Sequence, residues 1–156
     1  MEPIPHPPRS IHPKIEDAPQ GVEELTELHT RLVDTIAGFE KMVEKAEPAF
    51  RPVAIAFKAM HSAHARAVGE MLVEDGHDPA QDGSLFGAVN RGLVAVRSWF
   101  DEIDENVMSA LVQGEKHVLE AYEEAIAQTD VPQRREALTA MRDEQIAVMD
   151  RHCPPA

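Results

Sequence analysis

The chain has one cysteine, Cys153, one tryptophan and one tyrosine, and no long apolar run. A single cysteine cannot form a disulfide within the chain, which fits a reducing compartment. No apolar stretch approaches the roughly 20 residues that a membrane-spanning helix needs. Basic residues are few as well: 15 Lys and Arg stand against 28 Asp and Glu, a net charge of -13. That deficit argues against a protein that grips nucleic-acid backbones, which requires clustered Lys and Arg. It argues equally against attachment to an anionic membrane surface. The first residues lack the apolar segment of a secretory signal, so a cytoplasmic location is expected. Aromatic residues make up only 4% of the chain, so Ala, Val, Leu and Met must supply the core. With many Glu and Arg, that mixture favours helix over sheet.

Residues 1–20 hold six prolines and almost nothing to bury. They read as a disordered tail preceding a single bundle domain over 21–153. From Val22 a helical period begins: Val22, Leu25, His29, Leu32, Ile36, Phe39, Val43 and Ala46 recur at the spacing of a bundle seam. Pro48 and Pro52 mark a tight turn near residues 47–49. A second helix carries Phe50, Val53, Phe57, His61, His64, Val68 and Met71 on one stripe and ends near Gly76. A long connection follows, with a short amphipathic helix expected over 84–100 behind Ser84 as N-cap. The third helix is expected over 101–128, with Ile103, Val107, Leu111, Gly114, Val118, Ala121 and Ala125 on its seam and Tyr122 beside it. Asp130 is the expected N-cap of the last helix, which would bury Leu138, Met141, Gln145, Val148 and His152. The result is all-α: two helical hairpins joined by a long crossover, the connectivity of a ferritin-like four-helix bundle.

Polar residues interrupt the seams. Measured from a turn near Glu47, His29 lies 18 residues before it, and His61 and His64 lie 14 and 17 after it. Glu115 is 14 residues beyond Asp101, and Gln145 14 beyond Val131. At about 1.5 Å of rise per residue these five reach a similar depth. Three imidazoles and a carboxylate, His29, His61, His64 and Glu115, suit a divalent transition metal such as Zn or Fe. The competing reading is a polar core layer in which the same groups hydrogen-bond to one another and set helix register. Di-iron oxidase chemistry is disfavoured, because it needs a Glu on each of two helices and a Glu-x-x-His on the other two. Here the single Glu-x-x-His, Glu74 to His77, falls at a helix end. Glu40 and His117 are expected at the surface, and the methionines as core filler. No phosphate loop or nucleophile elbow is present, so no catalytic residue is assigned.

The stretches "GSLFGAVNRGLVAVRSWF" from Gly83, "LVQGEKHVLEAYEEAI" from Leu111 and "AGFEKMVEKAE" from Ala37 resemble a bacterial, ferritin-like four-helix-bundle family catalogued as domain of unknown function 2383. The matching positions are Gly83, Ser84, Gly87, Ala88, Arg91 and Gly92 in the crossover, and Gly114, Glu115, Ala121, Tyr122 and Glu123 in the third helix. The resemblance covers about Val22 to His152. It implies the bundle fold and no established reaction. The chain departs from the family pattern at Ile36, Asn90, Leu93 and Met149.

Beside the metal-binding reading stands a non-catalytic structural or stress-associated interaction protein, acting through residues 84–100. Trp99 and Phe100 would lie at a homo-oligomer interface there. Trp99 is the only tryptophan, so its emission reports on that segment directly. If the segment covers the bundle, the emission should be blue-shifted and independent of concentration; if it forms an interface, the emission should move on dilution together with the sedimentation mass. Water-like emission at every concentration would show that the segment neither covers the bundle nor joins two copies.

Overall fold

A computed structural model describes residues 20–77 and 106–153, which form four α-helices and no strand. They are α1 (Val22–Lys45), α2 (Arg51–Glu74), α3 (Asn106–Gln128) and α4 (Pro132–His152). The expected tail, the short helix over 84–100 with Ser84, Trp99 and Phe100, and the start of the third helix lie outside the described residues. None of the four helices is long and apolar enough to cross a membrane.

The first turn occupies residues 46–50. Ala46 is extended and ends α1, and the Phe50 and Arg51 N–H groups donate to the Glu47 carbonyl at 3.0 Å each. Pro52 stands in the first turn of α2, where its missing N–H removes no helical hydrogen bond. At the far end of α2, Gly76 adopts φ 79°. That left-handed residue lets the His77 N–H reach the Leu72 carbonyl at 2.9 Å, closing the helix as a Schellman turn. The start of α4 differs from expectation: Val131, not Asp130, is its N-cap. Pro132 takes the first helical position and holds the residue before it extended, so Val131 occupies the boundary.

α1 packs against α2 and α3, and α4 packs against α3 and α2. Gly21, at φ 94° before α1, lies against the backbone of Gln128 and Thr129, where a Cβ would approach to 3.1 Å. Arg134, in the first turn of α4, grips the Asp75 carboxylate with both guanidinium nitrogens, at 2.7 and 3.1 Å. The start of α1, the ends of α2 and α3, and the start of α4 therefore share one pole. α1 and α4 run in one direction and α2 and α3 in the other. α2 ends at the pole opposite that where α3 begins.

Two apolar clusters fill the interior. One, toward the Gly21 pole, includes Leu25, Leu28, Leu32, Val68, Leu72, Val118, Tyr122 and Leu138. The other, toward the turn at 46–50, includes Phe39, Met42, Ala54, Phe57, Met60 and Leu111. The α1 seam is turned slightly from the one expected: Leu28 and Met42 are buried, while His29, Ile36 and Val43 are only partly so. α4 is the least apolar helix, with only Leu138 and Gln145 buried. Its Leu138, Met141, Val148 and Met149 pack into these two apolar clusters, and polar links add to them.

Candidate functional site

Between the two clusters lies a polar layer contributed by three helices. His61 of α2, Glu115 of α3 and Gln145 of α4 are 0%, 1% and 0% exposed, so solvent cannot satisfy them. His61 Nε2 lies 2.9 Å from Glu115 Oε1 and 3.1 Å from Oε2. The Gln145 amide nitrogen donates to Glu115 Oε2 at 2.7 Å and to the Glu115 backbone carbonyl at 3.1 Å. Two donors converging on one carboxylate assign the atoms: Nε2 of His61 carries the proton, and the amide is oriented with its oxygen away. Among the described residues, the buried His61 Nδ1 and Gln145 Oε1 have no hydrogen-bond partner. The His61 ring rests against Phe39, with centroids 5.8 Å apart and planes 24° apart.

One turn further along α2, His64 makes a second connection. The Tyr122 hydroxyl lies 2.8 Å from His64 Nδ1, and His64 Nε2 lies 3.0 Å from Glu144 Oε2. Burial, reinforced by the charges of Glu115 and Glu144, lifts the Tyr122 phenol well above its usual range, so it remains a donor. Nδ1 of His64 therefore accepts and its Nε2–H donates to Glu144. Burial lowers the His64 pKa, a larger effect than the opposing pull of Glu144. The ring is thus neutral at pH 7, as this hydrogen-bond pattern requires. His64 is 3% exposed, whereas the Glu144 side chain is 59% exposed, so this link runs from the core to solvent.

Of the four residues expected to share a metal, the structure brings His61 and Glu115 into direct contact. His64 is close enough to feel both electrostatically, but its two nitrogens engage Tyr122 and Glu144. His29 sits elsewhere: its ring lies against Gly69, where a Cβ would stand 3.4 Å from Nε2. The reason is the turn. The turn at 46–50 is centred beyond Glu47, and the His29 ring meets Gly69, more than a helical turn beyond His64. Among the described residues, no group of three or more His, Cys, Asp or Glu side chains is arranged to hold a metal ion.

Gln145 falls in the layer as its spacing indicated. The sequence reading missed Glu144 as the partner of His64, since an exposed acid on a polar helix carries no signal for such a role. Glu40, Glu74 and His117 are exposed; Glu40 and Glu74 pair with Lys58 and Arg134, and His117 Nδ1 lies 3.6 Å from Glu120. His152 is partly buried, its ring 6.1 Å from that of Phe57.

Fold and site together define an all-α helical bundle with a buried imidazole–carboxylate–amide layer. The chain belongs to the family described as Domain of unknown function (DUF2383), whose profile matches residues 20–128. The match takes in His61, His64, Glu115 and Tyr122. It stops before α4, which supplies Glu144 and Gln145, and so is shorter than the resemblance read from the sequence. No curated protein and no solved structure matches the chain.

Proposed function

We propose that this chain is a ferritin-like four-helix bundle serving as a non-catalytic structural or interaction protein, not as a di-iron oxidase. Its connectivity supports the first part: α1 and α4 run opposite to α2 and α3, with tight turns within each hairpin and a long join between them. One observation carries the second part. Glu115 is the only Asp or Glu buried among the described residues, whereas a di-iron centre needs four carboxylates to balance the charge of two metals. The buried layer serves instead to tie α2, α3 and α4 in one register, because any slip would leave His61, Glu115 and Gln145 without partners.

Oxygen uptake tests this. Purified protein mixed with ferrous iron is expected to consume oxygen at the rate of iron in buffer. Uptake that is faster than that background and is lost in Glu115→Gln would overturn the reading. A second reading, a metal-binding bundle without oxidase chemistry, draws support from the buried contact of an imidazole with a carboxylate, His61 with Glu115.

A further inference from the structure

Tyr122 is the only tyrosine of the chain and is wholly buried. A tyrosine that only packs needs no more than a carbonyl for its hydroxyl. Here the hydroxyl donates to a base, Nδ1 of His64, at 2.8 Å. The other nitrogen of that ring, Nε2, donates to Glu144 Oε2 at 3.0 Å. The Glu144 side chain is 59% exposed, so the path ends in solvent. Side chains of α3, α2 and α4 thus form one unbroken proton path out of the core, with a donor facing an acceptor at each step. Glu144 and Glu115 attract a positive charge on the His64 ring, and His61, about one turn away, opposes it. The register role of the His61–Glu115–Gln145 layer uses neither Tyr122 nor His64.

We infer that Tyr122 is a redox-active residue, which yields one electron to a diffusing one-electron oxidant while its hydroxyl proton passes to His64. Loss of an electron makes a phenol strongly acidic, so in a core the proton must have a base already in place. The step balances as follows. The Tyr122 O–H bond breaks and an N–H bond forms at His64 Nδ1. The Nε2–H bond breaks and its proton joins the Glu144 carboxylate, which releases it to water. The oxidant gains the electron, which crosses a bundle wall one helix, or roughly 10 Å, thick. The products are a neutral tyrosyl radical and a neutral His64 in its other tautomer, so no net charge is left in the core. A charge left there would be costly.

The test oxidises the full chain with photogenerated tris(bipyridine)ruthenium(III), a cation that the acidic surface attracts, and freeze-quenches it for electron paramagnetic resonance. A tyrosyl radical signal is expected. Ring-deuterated tyrosine should narrow it, which assigns it to Tyr122 because the chain has no other tyrosine. With an internal base, the rate of radical formation should be independent of buffer concentration. N-acetyltyrosinamide, which must give its proton to buffer or water, should react faster as buffer is added. His64→Leu removes the base and should slow radical formation roughly a hundredfold. Glu144→Gln leaves the Tyr122–His64 contact in place but removes the acceptor of the second proton, and should slow it several-fold. Should His64→Leu fail to fold by circular dichroism, Glu144→Gln and the buffer dependence decide. Absence of a tyrosyl signal in the wild type would overturn the proposal, as would a radical on Trp99 or Cys153 in its place. Equal rates in the wild type and the folded variants would also overturn it; that is the result expected if the hydrogen bond serves only to pack the ring.

Discussion

His61→Leu is expected to destabilise the protein by about 2–3 kcal/mol, the usual cost of removing a hydrogen bond to a buried charged group. The substitution leaves the Glu115 carboxylate in the core with Gln145 as its only remaining side-chain partner among the described residues. For a chain of this length that corresponds to a fall in Tm of about 5–10 °C. The double variant His61→Leu, Glu115→Met should recover most of the loss. Replacing both members of a buried pair by apolar side chains of similar volume is often neutral or stabilising. Gln145 retains its second bond in that variant, because it donates to the backbone carbonyl of residue 115 rather than only to the side chain. Urea unfolding of the wild type, both single variants and the double variant forms a complete thermodynamic cycle. Single variants that cost less than 1 kcal/mol, or a double variant as unstable as the sum of the two, would show that the layer is hydrated and does not hold the helices in register.

Acid should destabilise the bundle well before its surface carboxylates titrate. Burial lowers the pKa of both His29 and His64 in the folded protein below the unfolded value near 6.5. The unfolded chain then binds more protons than the folded one once pH drops into that range. Stability is complete above about pH 6.5 and declines as pH falls toward the folded pKa values, by at most about 1.4 kcal/mol per pH unit for each group. For His64 the loss has a structural form. A proton on Nδ1 sets one donor against another at the 2.8 Å contact with Tyr122, whose buried hydroxyl must then find another acceptor. Tyr122→Phe removes a hydrogen bond made to the neutral ring, so it should raise the His64 pKa and flatten the acid limb of the stability curve. Glu144→Gln removes the nearby negative charge and should lower that pKa. Proton NMR titration of the ring C–H resonances reads both. Opposite signs would show that the His64 tautomer is the reverse of the one assigned here.

Much of this protein is legible in its sequence, and the reasons are local. Proline and glycine placed the turns: Pro48 and Pro52 between α1 and α2, Gly76 after α2, and Pro132 at the start of α4. The 3.6-residue period brought Leu25, Leu32, Phe39, Phe57, Val68, Leu111 and Leu138 to the interior. Counting residues from the turns brought His61, Glu115 and Gln145 into one layer. These inferences hold because helix rise and rotation per residue are nearly constant, so position along a helix converts directly to depth and face.

The sequence by itself determined the helices, the hairpins and the polar character of the mid-bundle layer. Which polar groups pair within that layer was decided only by tertiary structure. A small shift in the centre of one turn carried His29 past the layer to Gly69. A modest rotation of α1 buried Leu28 in place of its neighbour. His64 joined Tyr122 and Glu144 rather than Gln145, because contacts between helices depend on the rotation and offset of both partners. A single-chain period specifies each helix to within about one residue, and one residue turns a side chain by roughly 100°. That is enough to exchange a metal ligand for a hydrogen-bond donor, so the identity of each pair follows from packing rather than from spacing.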